Sequence, residues 1–159
     1  MSTTDALLQL DANGRPISGL LPFFTSKRIT FVGGTSNAIG DKDGSLATFP
    51  IFSVDGDVMV IVIGICKTDL VGAGTLEVGV AGATASILAQ IADATTFDAN
   101  EVYVDATPSL AEGFTPTPKI VAGGLDISGK VATADITAGV VDFYCFWRPL
   151  SSDGKVSPA

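Results

Sequence analysis

The sequence predicts an all-β protein: a β-sandwich or jelly-roll-like single domain carrying an extended N-terminal arm. Three observations lead there. The apolar runs are short and bounded by Gly, Asp, Asn and Pro. Several of them alternate apolar and polar residues with period two. No segment sustains the 3.6-residue period of a long helix. Seven to nine short strands separated by turns make a sandwich, jelly roll or barrel.

Residues 1–28 differ from the remainder. Asn13-Gly14, Pro16, Gly19 and Pro22 interrupt scattered leucines and a Phe23-Phe24 pair, and neither period holds. This reads as an arm with apolar anchors Leu7, Leu8, Leu10, Leu20, Leu21, Phe23 and Phe24, able to dock on another surface. Residues 29–150 form the predicted sandwich. "ITFV" at 29–32 is a short strand, followed by a Gly/Asn/Asp loop over 32–45. "TFPIFSV" at 48–54 meets "DVMVIVIGIC" at 57–66 across Asp55-Gly56, a signal for a tight hairpin. In "TLEVGV" at 75–80, Leu76, Val78 and Val80 face one way, and Thr75 and Glu77 the other. "ATASILAQIADATT" at 83–96 fits one or two helical turns or a strand, its threonine-rich flanks favouring the strand. "EVYVDA" at 101–106 alternates again, and "PSLAEGFTPTP" at 108–118 is an irregular connection. "KVATADIT" at 130–137 and "VVDFYCFWR" at 140–148 flank Ala138-Gly139, a second tight-turn signal. Residues 151–159 read as a C-terminal tail.

The stretch 140–150, "VVDFYCFWRPL", is apolar on both faces. Alternation puts Val141, Phe143, Cys145 and Trp147 toward a core. It puts Tyr144, Phe146 and Arg148 on the opposite face, a composition favoured at protein–protein contacts, and these three are the candidate subunit-contact residues. A strand of this kind must be covered twice, once by its own core and once by loops or a partner.

At 159 residues and 16.2 kDa the chain has the size of one domain. It can fold without metal or disulfide support, burying roughly 70% of its unfolded surface. Charged residues make up 16%, against a typical ~25%, and the mean hydropathy is positive. So little charge suggests that part of the surface is covered by other subunits or a larger body. The net charge of −8 argues against nucleic acid and against anionic membrane surfaces as partners. No signal peptide is expected in "MSTTDALLQLDANGRP", and the nine-residue run Val58–Cys66 is too short for a membrane helix. Cys66 and Cys145 are expected as reduced, buried thiols of a protein made in a reducing cytoplasm.

Chemistry is poorly provided for, and no catalytic residue, metal or cofactor is expected. Without histidine there is no Ser-His-Asp or Cys-His catalysis, and two cysteines cannot build a four-thiolate zinc site. Ser26-Lys27 is a weak candidate for an activated nucleophile. Asp41-Lys42-Asp43-Gly44 resembles part of a calcium loop but lacks a third carboxylate and a closing glutamate. Asp93, Asp98 and Glu101 are loosely spaced around a turn. The glycines of "VGGTSNAIG" and "GVAGAT" lack the lysine and spacing of phosphate-binding loops.

The phrases "ITFVGGTSNAIGDKDG", "TLEVGVAG", "FDANEVYVDATP" and "TADITAGVVDFYCFWRPLSSDG" resemble small structural proteins from the head-gene region of tailed bacteriophages, namely capsid decoration (cement) or head-fibre proteins. The resemblance covers about residues 29–154. It implies a β-rich protein, often a homotrimer, on the outer surface of the virion and bound to the major capsid protein. The arm matches none of its motifs, so its docking role rests on composition. A second reading is a glycan- or surface-binding module, a head fibre or adhesin, in which exposed Tyr103, Tyr144 or Trp147 would stack on sugars.

Overall fold

The computed structural model describes residues 21–111 and 117–159. Among the described residues there are ten strands and one short 3₁₀ turn: β1 (Phe23–Thr30), β2 (Thr48–Asp55), β3 (Val58–Val71), β4 (Thr75–Val80), β5 (Ala83–Ile91), the turn Ala94–Thr96, β6 (Val102–Tyr103), β7 (Lys119–Val121), β8 (Ile127–Ala132), β9 (Ala138–Pro149) and β10 (Lys155–Pro158). They make two antiparallel sheets. One runs β1-β9-β3, with β6 and β7 both pairing on the far side of β3; the other runs β10-β2-β8-β4-β5. The sheets pack face to face as a β-sandwich around one buried cluster drawn from both.

The core follows from alternation. Val58, Val60, Val62 and Cys66 of β3 and Val141, Phe143 and Cys145 of β9 point inward. They meet Phe49, Ile51 and Val54 of β2, Leu76 and Val78 of β4, and Ile127 and Val131 of β8. In β4 the outward residues Thr75 and Glu77 are buried as well, because β8 and β5 flank the strand on both sides. Gln90 Nε2 donates to the Glu77 carboxylate at 2.7 Å, and Lys130 Nζ lies 3.8 Å away.

Several expectations are corrected. Residues 23–28, expected in the arm, form most of β1, which pairs with β9 along its whole length. The expected tail contains β10, paired with β2. Asp55-Gly56 is not a hairpin: β2 and β3 lie in different sheets, so this turn carries the chain across the sandwich. Gly56 takes the positive φ (+59°) that the reversal needs. Asp57 secures the crossing, accepting from Gly123 N and donating its own N–H to Ser151 Oγ, both at 2.8 Å. Ala138-Gly139, expected as a turn, opens β9 instead, and the link that joins the two sheets precedes it over 133–137. Residues 83–91 are a strand, with only the 3₁₀ turn at Ala94–Thr96 after it.

Tyr103 links the two sheets from inside. Its ring is fully buried, and its hydroxyl lies 2.6 Å from the Ala89 carbonyl and 3.2 Å from that of Leu76. Burial, with the Glu77 charge adding to it, pushes the phenol's pKa upward. Tyr103→Phe keeps the ring and removes the donor, so stability is expected to fall by about 1 kcal/mol. Urea unfolding checks this: the midpoint should drop while the slope stays constant.

Candidate interaction face

The register of the first sheet defines its outer surface. Phe24 of β1, Phe146 of β9 and Ile61 of β3 lie in one row across the strands. Ser26, Tyr144 and Ile63 form the next, and Arg28, Asp142, Ile65 and Val102 the one after. At the other end stand Arg148, Met59 and Ile120. Phe24 is 58% exposed and Ile120 65%, and the residues between them are partly exposed. The centre of this face is therefore apolar across β9 and β3 with Phe24 of β1, and Val102 of β6 and Ile120 of β7 extend it at either end. Its ends are charged, with Arg148 at one and Arg28, Asp142 and Lys67 at the other.

The aromatics are ordered by β1. Phe24 stacks on Tyr144 (5.9 Å, 19°) and tilts against Phe146 (5.7 Å, 45°). Phe23 stacks on Trp147 at 4.7 Å, while Trp147 Nε1–H donates to Thr25 Oγ1 at 3.0 Å. The Thr25 hydroxyl in turn donates to the Val156 carbonyl of β10 at 3.2 Å, closing that edge of the sandwich. Arg28 grips Asp142 with two hydrogen bonds of 2.7 and 2.8 Å. These bonds hold the Asp142 carboxyl below the usual carboxylate range, so it remains charged wherever the protein is folded near neutral pH.

The outer surface of the second sheet has a different character. Thr48, Ser128, Lys130 and Gln90 make it polar, over the buried Thr75 and Glu77. A shallow cavity of about 330 Å³ on that side is lined by Thr48, Thr84, Ser128 and Lys130 over Gly79. Asp126 also lines it, its carboxylate accepting from Val54 N at 2.9 Å, while Lys130 Nζ lies 3.8 Å from Glu77.

Among the expected contact residues, Leu7, Leu8, Leu10 and Leu20 lie outside the described residues. Leu21 is partly buried just before β1, while Phe23 and Phe24 belong to the sheet: Phe24 continues the outer aromatic face of β9, and Phe23 lies on the opposite face against Trp147. Tyr144, Phe146 and Arg148 lie on the outer face together. The sequence reading missed Met59, Ile61, Ile63, Ile65, Val102 and Ile120, which complete that face. The signal for the four on β3 was present in "VMVIVIGI", a run apolar on both parities of one strand.

The candidate chemical groups have local structural roles. Asp41 accepts backbone N–H bonds from Asn37 (2.8 Å) and Asp43 (3.0 Å), which lower its pKa. Asp93 caps the 3₁₀ turn by accepting from Thr95 N at 2.9 Å, and Glu101 accepts from Asp98 N at 2.9 Å. Ser26 and Lys27 project to opposite faces of β1, and Lys27 Nζ reaches the Ala159 carbonyl of the closing edge. Among the described residues no three acidic or cysteine side chains gather as a metal site, and no helix is long and apolar enough to cross a membrane.

Cys66 and Cys145 are free and buried. Burial pushes the Cys66 thiol up to about 11 and the Cys145 thiol up to about 12. Neither thiol should react with a disulfide reagent at pH 8 in the native protein, and both should react once denaturant unfolds it. A native-state titration of thiols checks this.

The sugar-stacking reading loses two of its three aromatics. Tyr103 is fully buried, and Trp147 is partly buried with its ring under Phe23 and its N–H engaged. Comparison with protein-family models, curated proteins and solved structures finds no match to this chain.

Proposed function

We propose that this protein is a virion structural component that decorates the outer surface of a tailed-phage capsid and stabilises the shell by bridging capsomers. The observation that carries the reading is the contrast between the two outer surfaces, one polar and one apolar across β1, β9, β3, β6 and β7. An apolar sheet face of this extent marks an interaction surface. Tyr144, Phe146 and Arg148 would serve there as contacts to sister copies. The leucines at 7, 8, 10, 20 and 21, with Phe23 and Phe24 leading into the sheet, would serve as contacts to the major capsid protein. No bond-making chemistry is required of such a protein. A ligand that binds only the assembled shell stabilises it by mass action, by RT ln(1 + [L]/Kd) per site. The net charge of −8 suits a protein displayed at high density and kept away from packaged nucleic acid.

The test is co-sedimentation with shells assembled from the major capsid protein of the same phage. The full chain is expected to pellet with expanded shells and to raise their melting temperature. A chain lacking residues 2–20 is expected to fold, since every described strand lies beyond that segment, but to stay in the supernatant. A truncated chain that still pellets would remove the segment from the contact. A full chain that never binds would remove the capsid role.

A further inference from the structure

The acid at one end of the apolar face, Asp142, and the cation at the other, Arg148, can complement each other. Residue pairs Met59–Arg148, Ile61–Phe146, Ile63–Tyr144 and Ile65–Asp142 succeed one another across β3 and β9, centred on the pair Val62–Cys145. A two-fold axis lying in the plane of contact and crossing the strands at that centre reverses this order in a second copy. Ile61 then faces Ile63 of the second copy, Tyr144 faces Phe146, and Met59 faces Ile65. The same operation sets Arg148 of each copy against Asp142 of the other. Arg28 already holds Asp142 in place and charged, and each of its oxygens retains a lone pair for another donor.

We propose that the outer face of the β1-β9-β3 sheet is a two-fold interface, and that its occupant is the same face of a second copy. Two such faces would stack as sheets do, ~10 Å apart, with aligned but slightly crossed strands. Isologous pairing needs a self-complementary patch, which the apolar rows and the Arg148–Asp142 contact supply, working against the cations Arg28 and Lys67 at the Asp142 end. A head-to-tail or three-fold arrangement would not bring Arg148 to Asp142 in both directions. The area sets the strength. Three inter-strand spacings by about six residues give a plan area on the order of 300 Å² per copy. That is well below the roughly 800 Å² per partner of tight complexes, so the pair forms reversibly and dissociates on dilution. The inference deepens the sister-copy contact proposed above. It replaces the trimer implied by the resemblance with a pair, and it needs no shell.

Charge exchange tests it without shells. In one chain Asp142 and Arg148 are six residues apart on β9, about 20 Å, so any coupling between them must act between copies. Sedimentation equilibrium of the wild type over a concentration series should show monomer and dimer. Arg148→Glu places two acids opposite each other at both ends of the pair, and Asp142→Lys places two cations there. Each variant alone should bind itself at least about tenfold more weakly. An equimolar mixture of the two should recover the dimer, because each reversed charge then meets its opposite. Circular dichroism checks that both variants remain folded, and the Arg148→Glu/Asp142→Lys double variant gives the same test in one chain. A wild type monomeric at all concentrations, or a mixture and double variant that stay monomeric, would overturn the pairing. A monomer that self-associates only after residues 2–20 are deleted would assign the cover to that segment instead, and would overturn it too. Any of these results leaves shell binding to be decided by co-sedimentation.

Discussion

Phe49→Ala is expected to cost about 3–5 kcal/mol, the largest effect of any single truncation considered. Phe49 is fully buried on β2, and its ring meets Phe31 edge-on at 5.7 Å. Its register partner on β8 is Gly129, where a Cβ would lie 2.3 Å from the ring's Cζ. The ring thus occupies the space a side chain at 129 would have taken, and the floor of its site is backbone. Backbone in the middle of a five-stranded sheet cannot collapse into the space left by a deleted ring, which places the cost toward the upper end. Against a typical total of 5–15 kcal/mol, this is a large fraction of the stability of the fold. Gly129→Ala should also destabilise, because the buried ring has nowhere to move. The two changes should be non-additive, since the alanine methyl at 129 fits the space that Phe49 vacates. Urea midpoints of the two single variants and the double variant decide this. Strict additivity would contradict the packing described.

The second large effect concerns association. Ile63 lies at the centre of the outer face, opposite Tyr144 in the register and partly exposed. In the separate chain an aspartate there keeps its water, so Ile63→Asp should cost about 1 kcal/mol or less, mostly from lower strand propensity. In an assembly that covers the face, the same carboxylate is desolvated with no partner, at a cost of several kcal/mol. Self-association should therefore fall by about a hundredfold or more while the melting curve barely moves. Parallel thermal melts and sedimentation runs check the two halves. Unchanged association would show that the face is not a contact. A collapsed melting curve would show that it belongs to the interior.

The existence of most strands was legible in the sequence because short alternating runs between turn residues have few other uses. Their pairing was less so. Asp55-Gly56 and Ala138-Gly139 signal that the chain turns, but turn chemistry does not say whether the next strand joins the same sheet or the opposite one. At Asp55-Gly56 the chain crosses the sandwich, whereas Ala138-Gly139 begins β9 and the crossing falls just before it, after β8 ends at Ala132. β1 was half hidden because "FFTSKR" does not alternate cleanly; its outward Phe24 rests on aromatics of β9 that are more than a hundred residues away in sequence. "EVYVDA" misled about Tyr103. The large ring faces inward and Val102 outward, because β6 is a two-residue strand whose orientation is set by its bond to the second sheet. Half of the interaction face was visible in Tyr144, Phe146 and Arg148, aromatics and a cation on the parity opposite the core. The other half, on β3, is hidden in a run that looks the same whichever of its faces is buried. A run apolar at every position demands cover on both faces, and the sequence does not say which face its own domain covers.

Hydroxyl-radical footprinting of the assembled particle against the dilute free chain tests the central claim most directly. Met59, Tyr144 and Phe146 report on the outer face, and Met59 and Tyr144 carry reactive side chains. All three should be modified readily in the dilute chain and protected in the particle, while residues of the second sheet's polar outer surface remain equally reactive in both. Equal reactivity of Met59 and Tyr144 in the two states would mean that the apolar face stays open in the assembly, and would contradict the claim that this face is where the protein makes its contacts.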